Sequence, residues 1–416
     1  MKPQKLFFFS VLLFALFPIL PNSIKGLPVI LFFLCSIYTY IKYNRTSKFN
    51  IKKVLFFSGI YIFYLVSLFY TENFISIDKT LSTRLSLIII PISFGLFTTV
   101  IHQIEEQKFI LFSKIFFYSA LVYCFVVIYT ILDLGYYSDK VNINEVFNRL
   151  TGNLFGIEQH PIYASILISI AIFLSGFKLI KTKNKYQKLL LIIGNIFLLF
   201  TLFFLSRKAV ILAVIFAFLI FVLTNLKKVK LKNIIAICTV VFIGAIVATP
   251  VLKKRFNEVF HSITYSKISP DNSTSIRYGV YKCVIKTIKN NPIKGYGIGD
   301  VDDALQKCYA TTSVVLVDGN YNSHNQYFGI TLTNGIFGLI FFILFLAYNV
   351  KKAFQKEDKL FLVVTVFYIV TMFFENILER QSGVILFTFF ICFFNFIKVT
   401  KSKPKIIEKE TYHNRN

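Results

Sequence analysis

Three side chains stand where chemistry on an anion is feasible: Arg207, Arg277 and His324. An Arg offers a planar fork that pairs bidentately with phosphate, and an imidazole that titrates near neutral pH can take a proton from a hydroxyl. Arg207 belongs to Ser206-Arg207-Lys208, the polar break in the apolar stretch from Leu189 to Leu226. Unbroken, those 38 residues would form a helix of about 57 Å, far beyond one bilayer, so the chain must turn tightly at the triplet. Taken alone, such an Arg is more often a snorkelling anchor. Arg277 follows Ser273-Thr274-Ser275, a helix start whose free N–H groups also favour anions, although a solvated surface Arg is the commoner case. His324 in Asn322-Ser323-His324-Asn325-Gln326-Tyr327 would serve as a general base or as a structural His bonded to a carbonyl.

Other polar residues recur beside apolar runs and join the candidates for binding: Asn325, Gln326, His160 with Tyr163, and Glu375 with Arg380 and Gln381. Glu375 would pair with Arg380 as a scaffold, since a buried carboxylate needs a partner, or would orient a catalytic group. Gly295-Tyr296-Gly297-Ile298-Gly299-Asp300 has the outline of a dinucleotide loop without a preceding strand, and reads as a flexible turn. With no paired-Cys metal spacing and no H-E-x-x-H, no metal is expected. Cys35, Cys124, Cys238 and Cys392 lie in apolar runs. Cys283 and Cys308 share a polar segment, and a bridge between them is a hypothesis.

The elements that must position these residues are membrane helices. Of 416 residues, 56% are apolar and 50 are Phe, with a net charge of +26. The basic residues fall in short clusters between apolar runs, not on one aromatic-lined face, which argues against a nucleic-acid partner. Apolar runs begin near Leu6, Leu27, Val54, Leu85, Phe109, Pro161, Leu189, Ala209, Ile234, Tyr327, Leu360 and Gly383, so an all-α polytopic protein of about twelve spans is expected. Residues 1–252 would hold nine spans, 253–323 a large loop, 324–400 three spans and 401–416 a basic tail. The first run resembles a signal peptide but lacks a clear cleavage site.

Alternate loops and both termini carry 28 of the 46 bases but only six of the 20 acids, which makes that side cytoplasmic. The large loop and the candidate residues then face outward. Within the loop, Ile276, Val280, Val284, Ile285 and Ile288 predict an amphipathic helix from Ser273 to Asn290. Asp302 to Tyr309 predicts a second, shorter one.

In this order and spacing the pieces resemble the O-antigen ligase and polymerase superfamily of bacterial envelope glycosyltransferases. They are His160-Pro161-Ile162-Tyr163, Ser206-Arg207-Lys208-Ala209, Ser273 to Arg277, Asn291 to Gly297, Ser323 to Gln326 with Asn334 to Gly338, and Glu375 to Gly383. The resemblance covers the chain from about Thr71 onward. It implies a GT-C-like fold in the bacterial inner (cytoplasmic) membrane; the charge count above puts both termini on the cytoplasmic side. The resemblance also implies metal-independent transfer of a glycan from undecaprenyl diphosphate at the periplasmic face. Arg207 and Arg277 would clamp the diphosphate and His324 would act as base, with no cofactor. A lipid A-core acceptor, as for a ligase, stands ahead of polymerisation; transfer to protein and transport come behind. Transport would favour mid-membrane ionisable groups in two related halves, and neither is apparent.

Overall fold

The structure, a computed structural model, describes residues 2–133, 156–225 and 268–400, apart from 44, 76, 158, 206 and 271. In chain order the helices are α1 (Pro3–Ala15), α2 (Leu27–Lys42), α3 (Ile51–Ser67), α4 (Ile77–Arg84), α5 (Ser86–Phe97), α6 (Glu106–Asp133), α7 (Pro161–Lys181), α8 (Lys185–Phe204) and α9 (Lys208–Asn225). They continue with α10 (Ser273–Asn290), α11 (Val301–Ala310), α12 (Val314–Gly319), α13 (Gln326–Gln355), α14 (Lys359–Met372) and α15 (Gln381–Phe396). Two three-residue strands, β1 (Gln103–Glu105) and β2 (Lys398–Thr400), pair in parallel at the end of the bundle opposite the start of α15.

Seven helical stretches among the described residues are long and apolar enough to cross a membrane, and α1, α9, α14 and α15 belong to shorter apolar helices. The chain is thus a mainly helical, polytopic membrane protein. Eleven of the expected twelve runs correspond to these stretches; the run near Ile234 lies outside the described residues, as do Cys238 and the tail 401–416.

The core explains the Phe content. Helix α15 is buried along Gly383–Phe396, so its all-round apolar sequence meets protein on every side. Phe389 stacks on Phe14 of α1 at 4.2 Å between ring centroids, and Phe393 lies 5.5 Å from Phe109 of α6. These contacts tie the first, middle and last helices together.

At the other end of α15, helices α10–α12 form a cap with its own apolar cluster: Ile276, Val280, Cys283, Val284, Leu305, Tyr309 and Leu316, joined to Leu332 of α13. Both expected loop helices form, the first over the expected residues. Cys283 and Cys308 are disulfide-bonded, with 5.6 Å between their Cα atoms, which fastens α10 to α11.

The loop read as a flexible turn is instead docked. Helix α13 breaks at Gly335 (φ 63, ψ −161), freeing backbone groups that the 292–297 segment takes up. Tyr296 N–H donates to Leu332 O at 2.7 Å, Gly297 N–H to Thr333 O at 3.0 Å, and Ile336 N–H to Pro292 O at 2.9 Å. A Cβ on Gly335 would stand 1.9 Å from Ile293 O, so only glycine admits this approach.

Candidate functional site

The start of α10 is set by Asn272, whose side chain accepts from Thr274 N–H (3.0 Å) and Ser275 N–H (3.1 Å). Those donors are therefore spent on the cap. Arg277, in the next turn, donates through Nη2 to Glu375 Oε1. This corrects the expected Glu375–Arg380 pair: Glu375 is 7% exposed and pairs with Arg277, whereas Arg380 is exposed. The reason is direction, because the 373–380 segment leaves α14 with Glu375 turned towards Arg277 of α10, whereas Arg380 is the extended residue just before α15.

That segment is held by several residues read as binding candidates. Asn325 Nδ2 donates to Phe373 O (2.9 Å), Gln326 Oε1 accepts from Leu378 N–H (2.7 Å), and Tyr163 Oη donates to Asn376 O (3.1 Å). Asn325 also caps α13 by accepting from Phe328 N–H at 3.1 Å. All three are buried and engage backbone.

His324 sits in the left-handed region, φ 46, gripped on both backbone sides. Its N–H donates to Asn322 Oδ1 at 3.0 Å, and its carbonyl accepts from Tyr281 Oη at 3.1 Å. Its Nδ1 lies 3.7 Å from Glu375 Oε2 and has no hydrogen-bond partner. One carboxylate thus contacts Arg277 and faces His324. Burial alone would raise the Glu375 carboxyl, but Arg277, His324 and Arg207 together hold it below the usual carboxylate range.

Arg207 joins from the turn between α8 and α9. Lys208 Nζ donates to Thr274 Oγ1 at 3.2 Å, tying this turn to the first turn of α10, and the Arg207 charge acts on both Glu375 and His160. His160 caps α7, its Nδ1 accepting from Ile162 N–H at 3.4 Å. Burial, then Arg207 and Arg380, push its imidazole down to about 3, so it is neutral near pH 7 and Nε2 carries the proton.

Sequence reading missed Tyr281, Asn322, Asn376, Glu379 and Arg84. Tyr281 lies one helical turn after Arg277, and that spacing would have exposed it. Glu379 accepts from Asn322 and Asn376, and Asn376 in turn donates to Ser323 Oγ (3.0 Å), a network between segments distant in sequence.

Fold and site define a polytopic helical membrane protein with a cluster of Arg, His and carboxylate groups at one end of its bundle. Residues 193–343 match the family described as O-Antigen ligase, a stretch that includes Arg207, Arg277 and His324. The chain is also 27% identical over 270 residues to the ComP-specific O-oligosaccharyltransferase of Acinetobacter baylyi, a match covering 64% of this chain and 46% of that relative. The resemblance to the O-antigen ligase and polymerase superfamily, read first from ordered short motifs, holds in both matches.

Proposed function

We propose that the chain is a metal-independent glycosyltransferase of the O-antigen ligase type. It moves a glycan from undecaprenyl diphosphate to a hydroxyl of lipid A-core at the periplasmic face of the inner membrane. The observation that carries this is the Glu375 carboxylate, which contacts Arg277, faces His324 Nδ1 at 3.7 Å and is acted on by the charge of Arg207, a charge that also acts on His160.

The acceptor hydroxyl attacks the anomeric carbon and gives its proton to His324, while the bond from that carbon to the diphosphate oxygen breaks. With Nδ1 turned to Glu375, Nε2 is the nitrogen left for the acceptor, and the carboxylate stabilises the imidazolium that forms. The leaving lipid diphosphate keeps the bonding electrons. Arg207 and Arg277 balance its charge, and neutral His160 adds an Nε2–H donor. Asn325, Gln326 and Tyr163 serve by holding the segment that carries Glu375.

A second reading is transfer to a protein hydroxyl, favoured by the similarity to the ComP-specific O-oligosaccharyltransferase. Polymerisation of lipid-linked repeats uses the same chemistry. A deletion strain separates the three on gels of its envelope glycans and glycoproteins. Loss of long chains from lipid A-core with accumulation of lipid-linked polymer supports ligation, single capped repeats indicate polymerisation, and loss of glycan from a protein alone indicates protein transfer. Unchanged glycans, or full rescue by His324→Ala at equal expression, would remove the reading.

A further inference from the structure

Beside the His324 loop, with Asn322 and Ser323 in its wall and neither His324 nor Glu375 lining it, there is a cavity of about 320 Å³. Lys79, Thr83 and Arg84 of α4 line it together with Asp302 of α11, Asn322 and Glu379. Asn322 links it to the reacting groups, because the same side chain accepts the N–H of His324. Its volume is at the lower end of small-molecule sites, about 300–1,000 Å³, room for a sugar unit and too little for a polymer.

The lining chemistry selects among possible occupants. A lipid tail asks for an apolar wall, and here amide, hydroxyl, carboxylate and cationic groups converge. A diphosphate would meet Asp302 and Glu379 as well as the cations, a repulsion absent for a neutral group. Sugar hydroxyls suit both signs, since they donate to carboxylates and accept from Arg, Lys and amide N–H groups. Arg84 is held in place on the wall, with Nε donating to Leu378 O at 3.2 Å and the guanidinium 4.7 Å from the centre of the Tyr64 ring. Among the described residues it has no carboxylate within ion-pair distance, although its charge acts on both carboxyls of the wall, Asp302 and Glu379.

We propose that this cavity is a sugar subsite, in which one ring of a substrate glycan is held by its hydroxyls between α4, α11 and Asn322, beside the loop that presents His324. That the ring belongs to a transfer substrate, acceptor or lipid-linked donor, rests on the transfer reading above; that the cavity takes a sugar ring does not.

Two variants test it in the full chain reconstituted in nanodiscs. Thr83→Cys places a thiol on the wall, and its modification by a water-soluble maleimide is followed with lipid A-core oligosaccharide or with the water-soluble glycan released from the lipid-linked donor. Protection of about tenfold by either probe supports the subsite and identifies the source of the ring, tenfold corresponding to about 1.4 kcal/mol. Thr83→Trp fills the cavity and raises the KM for that same substrate by a similar factor, whereas Thr83→Ser does not. Protection without any wild-type transfer leaves the subsite standing and overturns the transfer reading. Transfer with no protection by either probe, and with both KM values unchanged in Thr83→Trp, overturns the subsite alone.

Discussion

Glu375 Oε2 stands 3.7 Å from His324 Nδ1 while Oε1 of the same carboxylate receives Arg277 Nη2. A single buried anion therefore balances one cation at all times and a second whenever His324 gains a proton. It makes the two proposed roles, base and clamp, depend on each other.

Glu375→Gln keeps the shape and removes the charge. Turnover is expected to fall about tenfold to hundredfold, as a base loses the group that stabilises its protonated form, with a smaller change in acceptor KM. Glu375→Ala also leaves Arg277 uncompensated; breaking a fully buried pair costs about 3–5 kcal/mol, and the partial exposure of Arg277 puts this case at or below the lower bound. Steady-state kinetics with a thermal melt of each variant separates the two effects. Unchanged turnover in Glu375→Gln would exclude the carboxylate from the chemistry.

His160 predicts acid sensitivity. Its imidazole is lowered to about 3 from an ordinary 6.5, so across that window the unfolded chain binds a proton that the fold refuses. Its contribution to stability is complete above about pH 6.5 and declines as the pH falls towards 3. Glu375, also held below its ordinary 4.5, adds a loss of the same sign beginning at lower pH. Melting temperature against pH should flatten between 6.5 and 5 in His160→Gln and keep its fall below 4.5. An identical profile for both proteins would show that His160 is not the group responsible.

Gly335→Ala puts a Cβ against Ile293 O in a backbone region essentially reserved for glycine. Strain of this kind costs about 1–3 kcal/mol, and the clash adds to it. Undocking of the 292–297 segment is expected to lower the melting temperature and expose that segment to protease. A variant as resistant as the parent would show that the docking does not depend on glycine.

The Cys283–Cys308 bridge closes a 25-residue separation. Reduction, or Cys308→Ser, should destabilise the cap by about 3 kcal/mol on the chain-entropy account. Labelling free thiols in unreduced protein checks the premise, and modification of both cysteines would refute it.

The helices were legible in the sequence because an apolar run of bilayer length has few other ways to satisfy its backbone. The ends of α10 were legible too, from its polar start and its Asn-Asn-Pro stop. Glu375 illustrates the opposite case. Its neighbour Arg380 was the natural partner along the chain, and the partner it takes is 98 residues away. Likewise the glycines of 295–299 looked like slack, since no local pattern reveals that α13 opens at Gly335 to receive them.

The sequence by itself determined a helical membrane protein, an apolar pattern strong enough to place its helices, and a set of Arg and His residues in an order resembling a known superfamily. Tertiary structure alone decided which of those residues meet. Apolar burial is read from local periodicity, whereas the partner of a buried charge depends on where distant segments bring their side chains. That is why Glu375 lies between Arg277 and His324, and why Asn322 and Tyr281 hold His324 in its left-handed conformation.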